Sequence, residues 1–122
     1  MAVTYPVAVK NARLSAVVTQ IGSTGVLEIG TAGMATVLAT ITLNATAGTA
    51  ATGVLTFSGF PKSDTADATG IAAAARIRTA TGGTDIVTGL TVGTSGADII
   101  LDSVNITTGQ TVTINSASIT HA

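Results

Sequence analysis

The chain is predicted to be all-β: an antiparallel β-sandwich or jelly-roll of about eight strands, with one N-terminal α-helix. Three observations carry this. Thr is the commonest residue, and its branched Cβ suits a pleated, half-buried surface better than a helix. Turn residues recur at short intervals between Val92 and Thr120. There Val92-Gly93, Ser95-Gly96, Asn105 and Thr108-Gly109 separate the runs Asp98–Leu101, Val104–Ile106 and Thr111–Ile119. Only one stretch of the chain has a helical period.

That stretch is Pro6–Ile21. Pro6 suits a first helical position, and Leu14, Val17, Val18 and Ile21 fall on one face. Gly22 is placed to close the helix. Residues 1–24 therefore form an N-terminal arm and helix, and 25–122 the β-sandwich of the same structural domain. Val26–Ile29 reads as a short strand and Met34–Leu43 as a long one. In the latter, Val37, Ala39, Ile41 and Leu43 oppose a face of Thr36, Thr40 and Thr42, with Leu38 out of step. Asn44–Gly53 reads as a small-residue loop. Val54–Phe60 is a strand ended by Pro61, with Phe57 expected to anchor the core. Lys62–Gly70 is the most polar segment and reads as an exposed loop. Ile71–Arg78 is bracketed by glycines and too short for an isolated helix, so it is read as a strand. A hairpin turn at Thr81-Gly82-Gly83 leads to Asp85–Val92, where Gly89 marks a bulge.

Composition excludes several functions. Charged residues make up 9% of the chain, against about 25% in an ordinary globular domain. With a net charge of -1 and five dispersed Lys and Arg, no basic patch exists to bind nucleic acid. The absence of Cys excludes disulfides and thiolate metal sites. No signal-like start and no run of ~20 apolar residues is present, so neither secretion nor a membrane span is expected. A surface this poor in charge makes best sense when neighbouring subunits cover part of it.

No catalytic constellation is expected, and no cofactor. His121 is the only histidine and stands at the chain end, away from any Ser and acid partner in the pattern of a triad. Glu28, Asp64, Asp67, Asp85, Asp98 and Asp102 are dispersed. Gly93–Asp98, GTSGAD, lacks the Lys and the following helix of a phosphate loop. Asp85, Asp98 and Asp102 lie beside turns, where calcium could find oxygen ligands. They form no calcium-loop pattern, and Asp beside Gly is more often a turn former, so no metal is expected. Few aromatic rings are available to stack on a sugar.

Ala68-Thr69-Gly70, Arg76, Val92–Asp98, Leu101-Asp102-Ser103, Ile106 and Gly109-Gln110-Thr111-Val112, with Leu27–Gly33 behind the helix, give the chain a family likeness. It resembles small virion structural proteins of tailed bacteriophages and prophages. Those proteins often carry a bulky aromatic shortly before the position of Arg76, where this chain has Ala73 and Ala74. The resemblance implies residence in the virion after assembly in the host cytoplasm. The expected role is a capsid decoration or cement protein, bound to the major capsid protein and to copies of itself as a homo-oligomer, possibly a trimer. A tail or fibre component, presenting the GTSGAD loop to a host surface, is the alternative. The candidate interface residues are Lys10, Arg13, Arg76, Arg78 and Asp98. In this reading Ala2–Arg13 meets the shell, and Lys62–Gly70 or the distal turns face solvent.

Overall fold

The computed structural model describes residues 5–80 and 82–120. Residues 2–4 of the N-terminal segment, Thr81 of the hairpin turn and His121 lie outside the described residues.

Helix α1, Val7–Ile21, starts directly after Pro6 and buries Leu14 and Ile21 against the sheet. It is capped by Gly22, whose N–H donates to the Val18 carbonyl at 3.3 Å with φ at 74°. Eleven strands follow: β1 Val26–Gly30, β2 Val37–Thr42, β3 Gly48–Ala51, β4 Val54–Phe57, β5 Lys62–Thr65, β6 Gly70–Ile71, β7 Ala74–Arg78, β8 Asp85–Gly93, β9 Ile99–Leu101, β10 Asn105–Ile106 and β11 Thr111–Thr120. The class is all-β with a single helix, as the patterning predicts. One continuous nine-stranded sheet runs β2-β1-β7-β8-β9-β11-β4-β3, with β5 added to β11, and β10 and β6 form a separate pair. Every pairing is antiparallel except β8 with β9, which is parallel, so the main sheet is mixed.

The sheet curls. Beyond β5, the N–H of Asp67 donates to the carbonyl of Leu38 in β2 at 2.7 Å, so the two flanks of the sheet meet. Inside the curl lies one apolar core, with Leu27, Ile29, Leu38, Leu55, Ile77, Ile99, Leu101, Val112 and Ile114 fully buried. Phe57 joins it as expected.

Five segments depart from the sequence reading, and the first is the strand expected over Val54–Phe60, which ends at Phe57 because Gly59 turns the chain with φ at 83°. The strand expected from Met34 starts at Val37, because Ala32–Met34 is a 3-10 turn with positive φ at Gly33 and Met34. Asn44–Gly53 is not all loop: Gly48–Ala51 is β3, paired with β4. Lys62–Gly70 is not all loop either, since Lys62–Thr65 is β5, though Ser63, Asp64 and Thr65 remain exposed. Ile71–Arg78 divides into β6 and β7, parted where Ala72 and Ala73 donate instead to the carbonyls of Val104 and Gly30.

Bulges explain the residues that break alternation. Between β1 and β2 the register slips next to Gly30, with Ile29 opposite Ala39 but Gly30 opposite Val37. Leu38 is the extra residue, and it is buried together with its neighbour Ala39. In β11 the slip falls at Asn115, between Ile114 and Ser116. Burial there changes phase, from Val112 and Ile114 to Ala117. Gly89, φ 74°, lies where β8 slips against β7, as its position in the sequence suggests.

Candidate functional site

The charged residues are the informative ones in a chain with so few. Glu28 occupies the middle of β1, between Leu27 and Ile29. It is 4% exposed, the one charged residue in the buried set. Residues directly opposite on paired strands share a face, so the register that places Glu28 against Arg76 also sets their side chains side by side. Arg76 Nε donates to Glu28 Oε1 at 2.6 Å. Arg78 Nη1 stands 3.7 Å from the same oxygen. Across the next junction Arg78 faces Asp85, its Nε 2.9 Å from Oδ1. That N–H is not aimed at the oxygen, so the contact is ionic rather than a hydrogen bond. Nη2 of Arg78 donates to the Gly83 carbonyl at 2.6 Å and ties down the β7–β8 turn. Two arginines and two carboxylates thus form a neutral row across β1, β7 and β8.

Asp98 is also engaged within the chain. Its Oδ2 accepts from the N–H and the hydroxyl of Thr91, both at 3.0 Å, while its own N–H donates back to Thr91 Oγ1 at 3.0 Å. This clamp closes the Thr94–Asp98 loop so tightly that β9 leaves it alongside β8 in the same direction, Val92 opposite Ile99. The GTSGAD motif is therefore a return loop, with Thr94, Ser95 and Gly96 exposed at its tip.

Lys10 and Arg13 lie at the start of α1. Asn11 Oδ1 accepts from the N–H of Gly53 at 2.9 Å, which seats this end of the helix on the β3–β4 turn. Lys10 runs along the same turn and is half-buried. The Arg13 guanidinium lies over the Tyr5 ring, 4.7 Å from its centroid, and remains exposed. Of the five candidate interface residues, Arg76 and Arg78 share one site with Glu28 and Asp85. Lys10 and Arg13 share another, and Asp98 stands apart in its loop.

Glu28 escapes the sequence reading as a functional residue. The signal is present, a single acid inside an apolar strand, but its partner Arg76 is 48 residues away. Lys62 was also passed over. Its Nζ donates to Asn44 Oδ1 at 2.7 Å and stands 6.0 Å from the centre of the Phe60 ring.

Among the described residues no three His, Asp or Glu side chains gather to hold a metal ion. Asp85, Asp98 and Asp102 are not brought together, since the first faces Arg78 and the second Thr91. A shallow cleft of about 230 Å³ opens between β2 and β5, lined by Thr40, Ile41, Thr42, Lys62, Ser63 and Asp64. It is smaller than the ~300–1,000 Å³ usual for a small-molecule site and lacks aromatic walls. No described helix is long and apolar enough to cross a membrane.

Fold and side chains together define a β-rich domain whose notable groups serve packing and turns. Comparison with protein-family models, with curated proteins and with solved structures finds no match to this chain.

Proposed function

We propose that this chain is a structural subunit of a tailed-bacteriophage particle, and specifically a decoration or cement protein on the head shell. It binds the major capsid protein and copies of itself, as a small homo-oligomer such as a trimer. One observation carries most of the weight: charges are few, and four of them are spent on each other in the Glu28, Arg76, Arg78 and Asp85 row. What remains outside is largely Thr, Ser, Ala and backbone, a surface suited to flush contact with other subunits and to little else. The family resemblance around Val92–Asp98 and Gly109–Val112 points the same way. The role requires a rigid domain, a contact face and no chemistry.

Purified empty heads prepared with and without the protein test this. Heads that carry it are expected to withstand higher temperature and more chaotrope before releasing capsomers. Equal resistance in the two preparations overturns cementing. The exposed tip at Thr94, Ser95 and Gly96 favours a second reading, a tail or fibre part that offers this loop to a host surface. Antibody labelling of virions separates the two by position.

A further inference from the structure

Helix α1 is held to the sheet by few contacts. Of its 15 residues Leu14 and Ile21 are buried, Val17 and Val18 are half-buried beside them, and most of the rest face solvent. The hydrogen bond from the Gly53 N–H to Asn11 Oδ1 ties the helix to the β3–β4 turn. Among the described residues no ion pair joins it to a strand. The strands are held differently. β1, β7 and β11 are each paired on both edges, and they carry Ile29, Ile77 and Ile114, all fully buried.

The helix supplies little stability of its own. Pro6 offers no side-chain bond to the first N–H groups, and no acid in the first turn or base in the last complements the helix dipole. A helix of this length is marginal in water without packing, so once off the sheet it would melt.

The boundary between helix and sheet is sharp. Thr24 Oγ1 donates to the Thr79 carbonyl at 2.9 Å, and Gly25 after it is buried, so the chain is fixed to the sheet from there on. Gly22 and Ser23 just before are exposed, and Gly22 has φ at 74°. At the other side of the helix, β3 ends the sheet, pairs with β4 alone and has α1 packed against it.

We propose that α1 is a detachable strap, which leaves the sheet as one unit, hinged at Gly22 and Ser23, while the strands stay folded. The open form bares the apolar surface under Leu14 and Ile21 and leaves the outer edge of β3 without a neighbour. The closed form keeps that edge from uncontrolled strand pairing. The inference is independent of the function proposed above, and the chain alone suffices to test it.

The experiment is native-state hydrogen exchange of the full chain at low denaturant concentrations. The amides of Leu14–Ile21 are expected to share one opening with a shallow denaturant dependence, because little surface is exposed by it. They should exchange on the order of a hundredfold faster than those of β1, β7 and β11. Ala16→Pro supplies a second measurement. Ala16 is exposed, so the proline breaks the helix without entering the core. This variant should lose protection over α1 and keep it in β1, β7 and β11. Helix amides as slow and as denaturant-sensitive as those strands overturn the proposal, as does a proline variant whose strands lose protection. Exchange graded along Leu14–Ile21, with no shared opening, marks fraying and overturns it too.

Discussion

Glu28 is where a single residue matters most. A carboxylate at 4% exposure has lost most of its water, and the Arg76 hydrogen bond at 2.6 Å with Arg78 nearby compensates. Removing the cation alone would leave a buried charge uncompensated, which costs more than the pair contributes. Arg76→Met is therefore expected to lower stability by roughly 3 kcal/mol. Glu28→Leu combined with Arg76→Met should recover most of that loss, because two apolar side chains fill the same space without a stranded charge. Urea unfolding midpoints of the two variants and wild type measure both effects. A single variant as stable as wild type would mean that water reaches Glu28 after all. Half of this site was legible in the sequence, since an acid between Leu27 and Ile29 is conspicuous. The other half depends on the register of β1 against β7, which no local pattern encodes.

At the scale of elements, apolar alternation was readable and backbone closeness was not. The β1, β2, β8 and β11 segments carry enough Val, Ile and Leu to announce themselves. Gly48–Ala51 carries none, and it is a strand because of its turn and its glycine. Thr52 and Gly53 both have positive φ, 50° and 76°, the conformation of a two-residue hairpin turn that fixes Ala51 opposite Val54. Gly48 then lies so close to β4 that an added Cβ would meet the Thr56 carbonyl and come within 2.9 Å of Phe57 Cα. Both contacts are backbone and cannot swing aside. Gly48→Ala is thus expected to push β3 off β4 and cost about 3 kcal/mol, by overpacking. Faster amide exchange at Thr49 and Ala51 than in wild type would report it. Gly82→Ala is the control for φ, since its φ is 75° and nothing lies within 4 Å of the added Cβ. It should cost only the left-handed strain, about 1 kcal/mol. Lys62–Thr65 was missed for the opposite reason: its polarity suits an edge, where three of its four residues are exposed.

Across the whole molecule, β11 is the strand on which the others depend. Its first half pairs with β5, its second half with β4, and its other edge with β9. The chain must therefore be nearly complete before the sheet can join its β9 side to the β4–β3 hairpin, and refolding should fall in the ms–s range of non-local β proteins. Ile114 stands at the branch, paired with both Lys62 and Leu101 and fully buried. Truncating it opens a cavity where three strands meet, so Ile114→Ala should cost roughly 4 kcal/mol. The loss should lower the denaturant midpoint equally by far-UV dichroism and by exchange of amides in β4, β5 and β9, because no part of the curl holds without this strand. Ile71→Ser is the informative contrast. That side chain is 62% exposed on the small β6–β10 pair, and its removal leaves the core intact. It should lower the unfolding free energy by less than about 0.5 kcal/mol. If Ile71→Ser instead unfolded the chain, the residue would belong to the core and not to the exposed face of the β6–β10 pair.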